Sequence, residues 1–260
     1  MRTDRRKFLL GAGALATGWS VARSATPSPR NMHKQPHRSV KAIAFDAFPL
    51  IDPRPVAQRA EELFPGRGAD LSNLWRTRQF EYTWLRTMTG RYVDFWRITE
   101  DALIFAADSA GLTLRQEDRE RLMHSYLELK AWDDVRSALE AFRDAGIRMA
   151  FLSNFTSAML NAAVKNSALG RFFEEHLTTD RVHAFKPDPR AYAMAPEAFG
   201  MAAEDIVFCA SASWDAAGAK GFGYQTFWMN RAHQTEEQLE MKPDETGYSM
   251  ADLSRFVFQV

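Results

Sequence analysis

Short apolar runs of strand length alternate with stretches of helical period along most of this chain. The first run, Lys41 to Phe48, is apolar except for Lys41 and Asp46, and reads as a buried strand delivering one carboxylate to its end. A helix-rich block follows over about residues 56–130. Its first long helix is expected from Asp70, as N-cap, to about Met88, with Leu71, Leu74, Trp75, Phe80, Tyr82, Trp84 and Leu85 making it apolar on more than one face. A second spans about Asp94–Ala110, and a third starts near Gln116.

Beyond residue 130 the alternation is regular. Asp133 is expected to cap a helix built on Val135, Ala138, Leu139 and Phe142 and ended by Gly146. A strand over 147–152, a helix over 156–169 and a short segment over 172–177 come next. Asp188 and Pro189 read as N-cap and first residue of a further helix, which Pro196 should kink or shorten. Strands over 205–210 and 225–229 flank a helix over 214–221, and the tail reads as irregular. The alternation predicts an α/β fold, a Rossmann-like parallel sheet with helices on both faces. Residues 40–55 and 131–260 form the expected core, and 56–130 an inserted all-helical cap over the carboxyl edge of the sheet, where such folds bind ligands.

The N-terminus has a different character. Arg5-Arg6-Lys7 precedes a mildly apolar stretch, Gly11–Val21, and small residues as far as Ala25, the order of a twin-arginine export signal. Residues 1–25 are read as that signal, and 26–39, with Pro27, Pro29 and Pro36, as a linker. The expectation is export to the periplasm or beyond by the twin-arginine machinery.

Composition narrows the function classes. The 260 residues are 46% hydrophobic and 25% charged with zero net charge, so no basic field argues for nucleic acid. No apolar run reaches the roughly 20 residues of a membrane span, and no membrane association is expected after processing. Cys209 stands alone in an apolar run, and no cysteine–histidine spacing suggests structural zinc.

Four polar points fall at or just after strand ends: Asp46, Ser153-Asn154, Lys186 and Asp215. Right-handed crossovers bring such points to one edge. Each also has an ordinary structural use. Asp46 can start a turn, Ser153-Asn154 can open a helix, Lys186 can sit on the surface, and Asp215 can complement a helix dipole. Arg76 shares a helical row with Phe80 and Trp84, and can equally be an exposed helix arginine.

The order of Phe45-Asp46, Leu152-Ser153-Asn154, Phe185-Lys186-Pro187-Asp188 and Ser213-Trp214-Asp215 resembles the four motifs of the haloacid dehalogenase-like hydrolases. Within them, Leu74-Trp75-Arg76, Gln79–Leu85, Trp214–Ala219 and Phe227–Arg231 resemble the type II (S)-2-haloacid dehalogenases, over about residues 40–231. The resemblance implies Asp46 as nucleophile toward Cα of a 2-haloalkanoate, Lys186 holding it ionised, and Asp215 activating water. It implies Arg76, Asn154 and Phe95 around the departing halide and Ser153 with backbone amides at the substrate carboxylate. Phe48, Phe80, Tyr192 and Trp214 would line or brace the pocket, and a homodimer is expected. Phosphatase relatives carry an acid two residues after the nucleophile. Here that residue is Phe48, and halide, a weak base, leaves without a proton. No metal and no cofactor are expected.

Two departures from that branch stand out. Pro49-Leu50 replaces the usual Gly-Thr-Leu, one residue shorter, and Ala210-Ser211-Ala212 replaces Ser-Ser-Asn, removing a hydroxyl and an amide. Three readings remain: a haloacid dehalogenase, another metal-free hydrolase of the same fold, or an exported, non-catalytic binder of small carboxylates.

Overall fold

The computed structural model describes residues Val40–Gln259. The signal and linker expected over 1–39 lie outside them.

β1 (Ala42–Phe45) is wholly buried and lies at the centre of the sheet. β2 (Arg148–Ser153) and β4 (Ile206–Ala210) flank it, so Phe45 stands beside both Phe151 and Cys209. β3 (His176–Thr178) lies outside β2, while β5 (Gln225–Met229) and β6 (Glu245–Gly247) extend the other side. Every pairing is parallel, giving the order β3-β2-β1-β4-β5-β6. The chain runs outward from β1 through β2 to β3 and then crosses to β4 on the other side of β1, so the switch point falls at the carboxyl end of β1.

Strand alternation divides the core in two. Ile43 and Phe45 join a cluster with α5 (Val135–Asp144), α6 (Ser157–Asn166) and α9 (Met250–Phe258). Ala42 and Ala44 face a second cluster containing α7 (Pro189–Phe199) and α8 (Ser213–Phe222). Burying one side chain such as Phe45 stabilises by roughly 1.5–3 kcal/mol.

Between β1 and α5 the chain forms the helical cap: α1 (Arg54–Leu63), α2 (Gly68–Met88), α3 (Phe95–Ser109) and α4 (Gln116–Ser125). α1 starts just ahead of the boundary expected at 56. The chain leaves and returns side by side, through an antiparallel bridge between Ile51 and Ala131. Asp52 N donates to Lys130 O at 2.8 Å, and Trp132 N to Leu50 O at 3.0 Å. Inside the cap, Trp75 Nε1 donates to Thr99 O at 2.8 Å and Gln79 Nε2 to Thr99 Oγ1 at 2.9 Å. These partners satisfy groups whose burial would otherwise cost about 1–3 kcal/mol each.

Several local expectations are corrected. Asp70 does not cap α2, which starts earlier, at Gly68. The Glu61 carboxylate accepts from Gly66 N at 2.5 Å and Gly68 N at 3.0 Å, so it satisfies the helix entry instead. Asp133 does not cap α5. Asp134 occupies that position, and its carboxylate binds Arg231 and Met250 N rather than its own helix. Pro196 neither stops nor shortens α7, which runs to Phe199 and ends at Gly200 with φ 63°. Its missing N–H would have bonded Tyr192 O; the Tyr224 hydroxyl donates to that carbonyl instead. The tail is not irregular throughout: it adds β6 and α9, the latter entered by a capping box in which Ser249 Oγ accepts from Asp252 N at 3.3 Å and Asp252 Oδ2 from Ser249 N at 3.0 Å.

Candidate active site

Asp46 follows β1 directly, and its N–H continues the ladder by donating to Cys209 O at 3.0 Å. Ser153 ends β2, and Asp215 lies in the first turn of α8 just beyond β4. Lys186 arrives on the loop before α7, whose Asp188 cap accepts from Arg190 N at 2.9 Å. The four strand-end points therefore converge.

At their centre is Lys186, buried. Its Nζ donates to Asp46 Oδ1 at 2.9 Å and to Asp215 Oδ2 at 2.6 Å. The other Asp46 oxygen, Oδ2, accepts from Ser211 Oγ at 2.7 Å. The other Asp215 oxygen, Oδ1, accepts from Tyr192 OH at 2.8 Å. Both carboxylates are thus oriented at both oxygens. Gly218 makes the Tyr192 contact possible: a Cβ there would stand 2.5 Å from Tyr192 OH and 2.9 Å from Pro187 Cβ.

The two acids differ in proton affinity. Burial works against ionising Asp46, but the Lys186 charge and the Ser211 and Lys186 hydrogen bonds outweigh it and hold the carboxyl below the usual range. Burial pushes Asp215 up to about 6, against the pull of Lys186 and with the repulsion of Asp46. Burial also opposes the Lys186 charge, yet Asp215 and Asp46 together raise its proton affinity. Such an arrangement can offer one carboxylate held in its anionic form, fit for a nucleophile, beside a second that titrates at about 6, fit for a base near neutral pH.

Asn154 Oδ1 accepts from Lys186 N at 3.1 Å, which turns the NH2 end of the amide the other way. Ser153 Oγ accepts from Phe155 N at 3.1 Å. A small pocket is lined by Asp46, Ser153, Asn154, Lys186, Ser211 and Asp215 on its polar side. Phe48, Phe80, Phe95, Phe155 and Trp214 supply its aromatic side. The cap contributes Phe80 and Phe95, and Phe80 meets Trp214 edge to face with centroids 5.2 Å apart.

Two residues expected at the site stand behind its wall. Tyr192 braces Asp215 from within the core. Arg76 is half-buried, its guanidinium carbon 5.6 Å from the Phe48 centroid and 5.7 Å from that of Phe80. Among the described residues no carboxylate forms an ion pair with it. Sequence reasoning missed four residues that do line the pocket, Ala47, Phe155, Ser211 and Ala212. Phe155 directly follows the Ser153-Asn154 motif. Ser211 stands in the very Ala210-Ser211-Ala212 segment read as having lost a hydroxyl, and it supplies one to Asp46. Among the described residues no group of three His, Cys, Asp or Glu side chains is arranged to hold a metal ion.

A parallel sheet with a carboxylate at the end of its central strand, a lysine bridging two acids and a helical cap define a hydrolase of the covalent-carboxylate type. A model of the haloacid dehalogenase-like hydrolases matches residues 37–223, and the chain belongs to that family. It is 38% identical to (S)-2-haloacid dehalogenase 2 of Pseudomonas sp. (strain CBS-3) over 208 residues, 80% of this chain and 91% of that one. It is 40% identical to haloacetate dehalogenase H-2 of Moraxella sp. (strain B) over 210 residues, 80% and 94% of the two chains. Among solved structures it resembles L-2-haloacid dehalogenase from Xanthobacter autotrophicus with chloropropionic acid covalently bound, with TM-score 0.78, 31% identity and coverage of 84% and 98%.

Proposed function

We propose that this chain hydrolyses small (S)-2-haloalkanoic acids to (R)-2-hydroxy acids through an ester on Asp46. The observation that carries the reading is the buried Lys186 ammonium shared by Asp46 and Asp215, which leaves one acid ionised and the other raised to about 6. A carboxylate oxygen of Asp46 attacks Cα. The C–X bond breaks and the halide leaves with its electron pair, inverting the carbon. Water then attacks the ester carbonyl carbon while Asp215 takes its proton, and the alkoxide of the product is protonated as Asp46 is released.

The aromatic wall suits a polarisable leaving group and excludes bulk water. The Asn154 amide and Phe95 serve the halide, with the Arg76 charge acting from behind the Phe48 and Phe80 rings, and Ser153 with the backbone beyond Asp46 serves the carboxylate. Phe48, two residues past the nucleophile, supplies no acid, and none is needed for halide.

The test is halide release from (S)-2-chloropropionate, wild type beside Asp46→Asn, without added metal. A single turnover in H₂¹⁸O should place the label in the Asp46 carboxylate and not in lactate. Labelled lactate would refute the ester, and phosphatase activity that requires Mg²⁺ would refute the substrate class.

Residues 1–25 serve as a twin-arginine signal and the enzyme works outside the cytoplasm, on the support of Arg5-Arg6 and the small residues to Ala25. Replacing both arginines by lysine should trap the precursor inside; unchanged export would refute it. Exposed Leu85 and Met88 on α2 support self-association through the cap, which sedimentation of the full chain tests.

A further inference from the structure

The segment after Asp46 is one of the two places where the sequence departs from the branch it resembles, and its backbone is held from the core. Three successive carbonyls each accept a hydrogen bond from one corner of the core. Trp132 Nε1 donates to Phe48 O at 3.2 Å, Arg231 Nε to Pro49 O at 3.1 Å, and Trp132 N to Leu50 O at 3.0 Å. From the other side, Leu50 N and Ile51 N both donate to Ala47 O, at 3.1 and 2.9 Å.

The donors are themselves fixed. Arg231 forks onto Asp134, with its two terminal nitrogens 3.1 and 2.8 Å from the carboxylate oxygens. Asp134 also accepts from Met250 N at 2.9 Å. The Arg231 guanidinium lies 4.9 Å from the Trp132 ring centroid, and that of Arg54 lies 4.6 Å from it. Such a planar fork fixes direction as well as charge. None of these residues lines the pocket. What they hold does: Phe48 meets Phe155 edge to face at 5.2 Å and lies against Arg76.

A glycine-free turn with Pro49 in it is already restricted in its backbone. Here the carbonyls of Phe48 and its two successors are anchored, so the ring cannot retreat to admit a longer side chain. We propose that Arg231, acting with Trp132, is a specificity-determining positioning residue: it pins the 48–50 turn and so makes Phe48 a fixed wall that limits the length of the 2-haloacid accepted. This rests on the dehalogenase reading above and adds to it a control of substrate size from outside the pocket.

The test compares two substrates on the same enzyme, because the ratio of their kcat/KM values does not depend on how much of the protein is folded. Chloroacetate and 2-chlorobutanoate differ in chain length, and a single methylene in an apolar pocket is worth on the order of 10–200-fold. In wild type the ratio should favour chloroacetate. Arg231→Met should lower that preference by about tenfold, raising KM for chloroacetate more than it lowers kcat. Arg231→Lys cannot fork and should fall between. Trp132→Phe keeps a ring of aromatic character but loses the Nε1 donor, and should shift the ratio in the same direction by a smaller factor; it also serves if Arg231→Met fails to fold.

A ratio within twofold of wild type in Trp132→Phe and in every Arg231 variant that folds overturns the proposal and leaves the clamp a stabilising contact only. A wild type that releases no halide from either acid refutes the dehalogenase reading instead. The clamp is then read from the dissociation constants of acetate and butanoate by calorimetry. The same variants must narrow that discrimination, and an unchanged discrimination overturns the proposal there too.

Discussion

Two cations stand close to this pocket, one lining it and one behind its wall, and they are held in opposite ways. Lys186 comes from the sheet edge, is buried, and has both neighbouring carboxylates on its ammonium at 2.9 and 2.6 Å. Arg76 comes from the cap, is half-buried, and rests against the rings of Phe48 and Phe80 with no carboxylate paired to it among the described residues. Protein anions neutralise the first charge, which therefore sets the ionisation of Asp46 and Asp215. The second charge has no protein anion paired with it among the described residues. The sheet edge thus carries the charge-paired side of the site, and the cap adds Phe80 and Phe95 to its aromatic side. A buried pair broken on one side is expensive, about 3–5 kcal/mol, whereas an arginine on aromatic faces gains only about 0.5–2 kcal/mol from them.

The comparison breaks most visibly at Lys186. Lys186→Met leaves two buried carboxylates facing each other and should lower single-turnover halide release by at least about 10³-fold. Retained activity would mean that the ammonium does not set the nucleophile. Arg76→Gln should cost about 10–100-fold, by analogy with the loss of one or two charge-assisted hydrogen bonds of about 1.5–3 kcal/mol. Its effect should grow on passing from iodide to chloride as leaving group, and a loss equal for all halides would remove Arg76 from halide departure.

Smaller effects sharpen the division. Ser211→Ala removes one of the contacts that keep Asp46 ionised, and should slow halide release by about tenfold, the worth of one hydrogen bond, without accumulation of the ester. Ester accumulation seen by mass spectrometry would shift Ser211 to the hydrolytic half. Asp215 must be ionised to take a proton, so kcat should fall as pH drops through about 6. Tyr192→Phe removes a hydrogen bond that stabilises the Asp215 anion, so that limb should move upward in pH; a downward shift would refute the bracing role.

Much of the site was legible in the chain because its members follow directly on strands. A parallel strand projects its next residue past the sheet edge, so Asp46, Ser153 and Asn154 had to meet once the order of elements was read, and Asp215 came with the helix start just beyond β4. Lys186 joined them through the Asp188-Pro189 helix start. Ser211 was harder. Its neighbours suggested a loss of polarity, and only the path from β4 to α8 shows its hydroxyl turned toward Asp46. The expected caps at Asp70 and Asp133 failed because Glu61 and the Arg231–Asp134 pair, contacts set by tertiary packing, displaced the local choice. The tail concealed β6 and α9 behind the polar stretch from Arg231 to Asp244, although Ser249 and Asp252 before Leu253 and Val257 carried a helix-start signal. The hold of Arg231 on Pro49 joins residues 182 positions apart, a distance that no local pattern conveys.

The bridge between Ile51 and Ala131 also bears on how such a chain can be inherited. Antiparallel neighbours stand about 5 Å apart, so whatever is spliced between them need only bring its two ends together at that spacing. The pairing of β1 with β2 and β4 does not depend on the intervening segment. The inserted helices can therefore change in length or sequence without disturbing the register of the central strands, so long as their two ends still meet at that bridge.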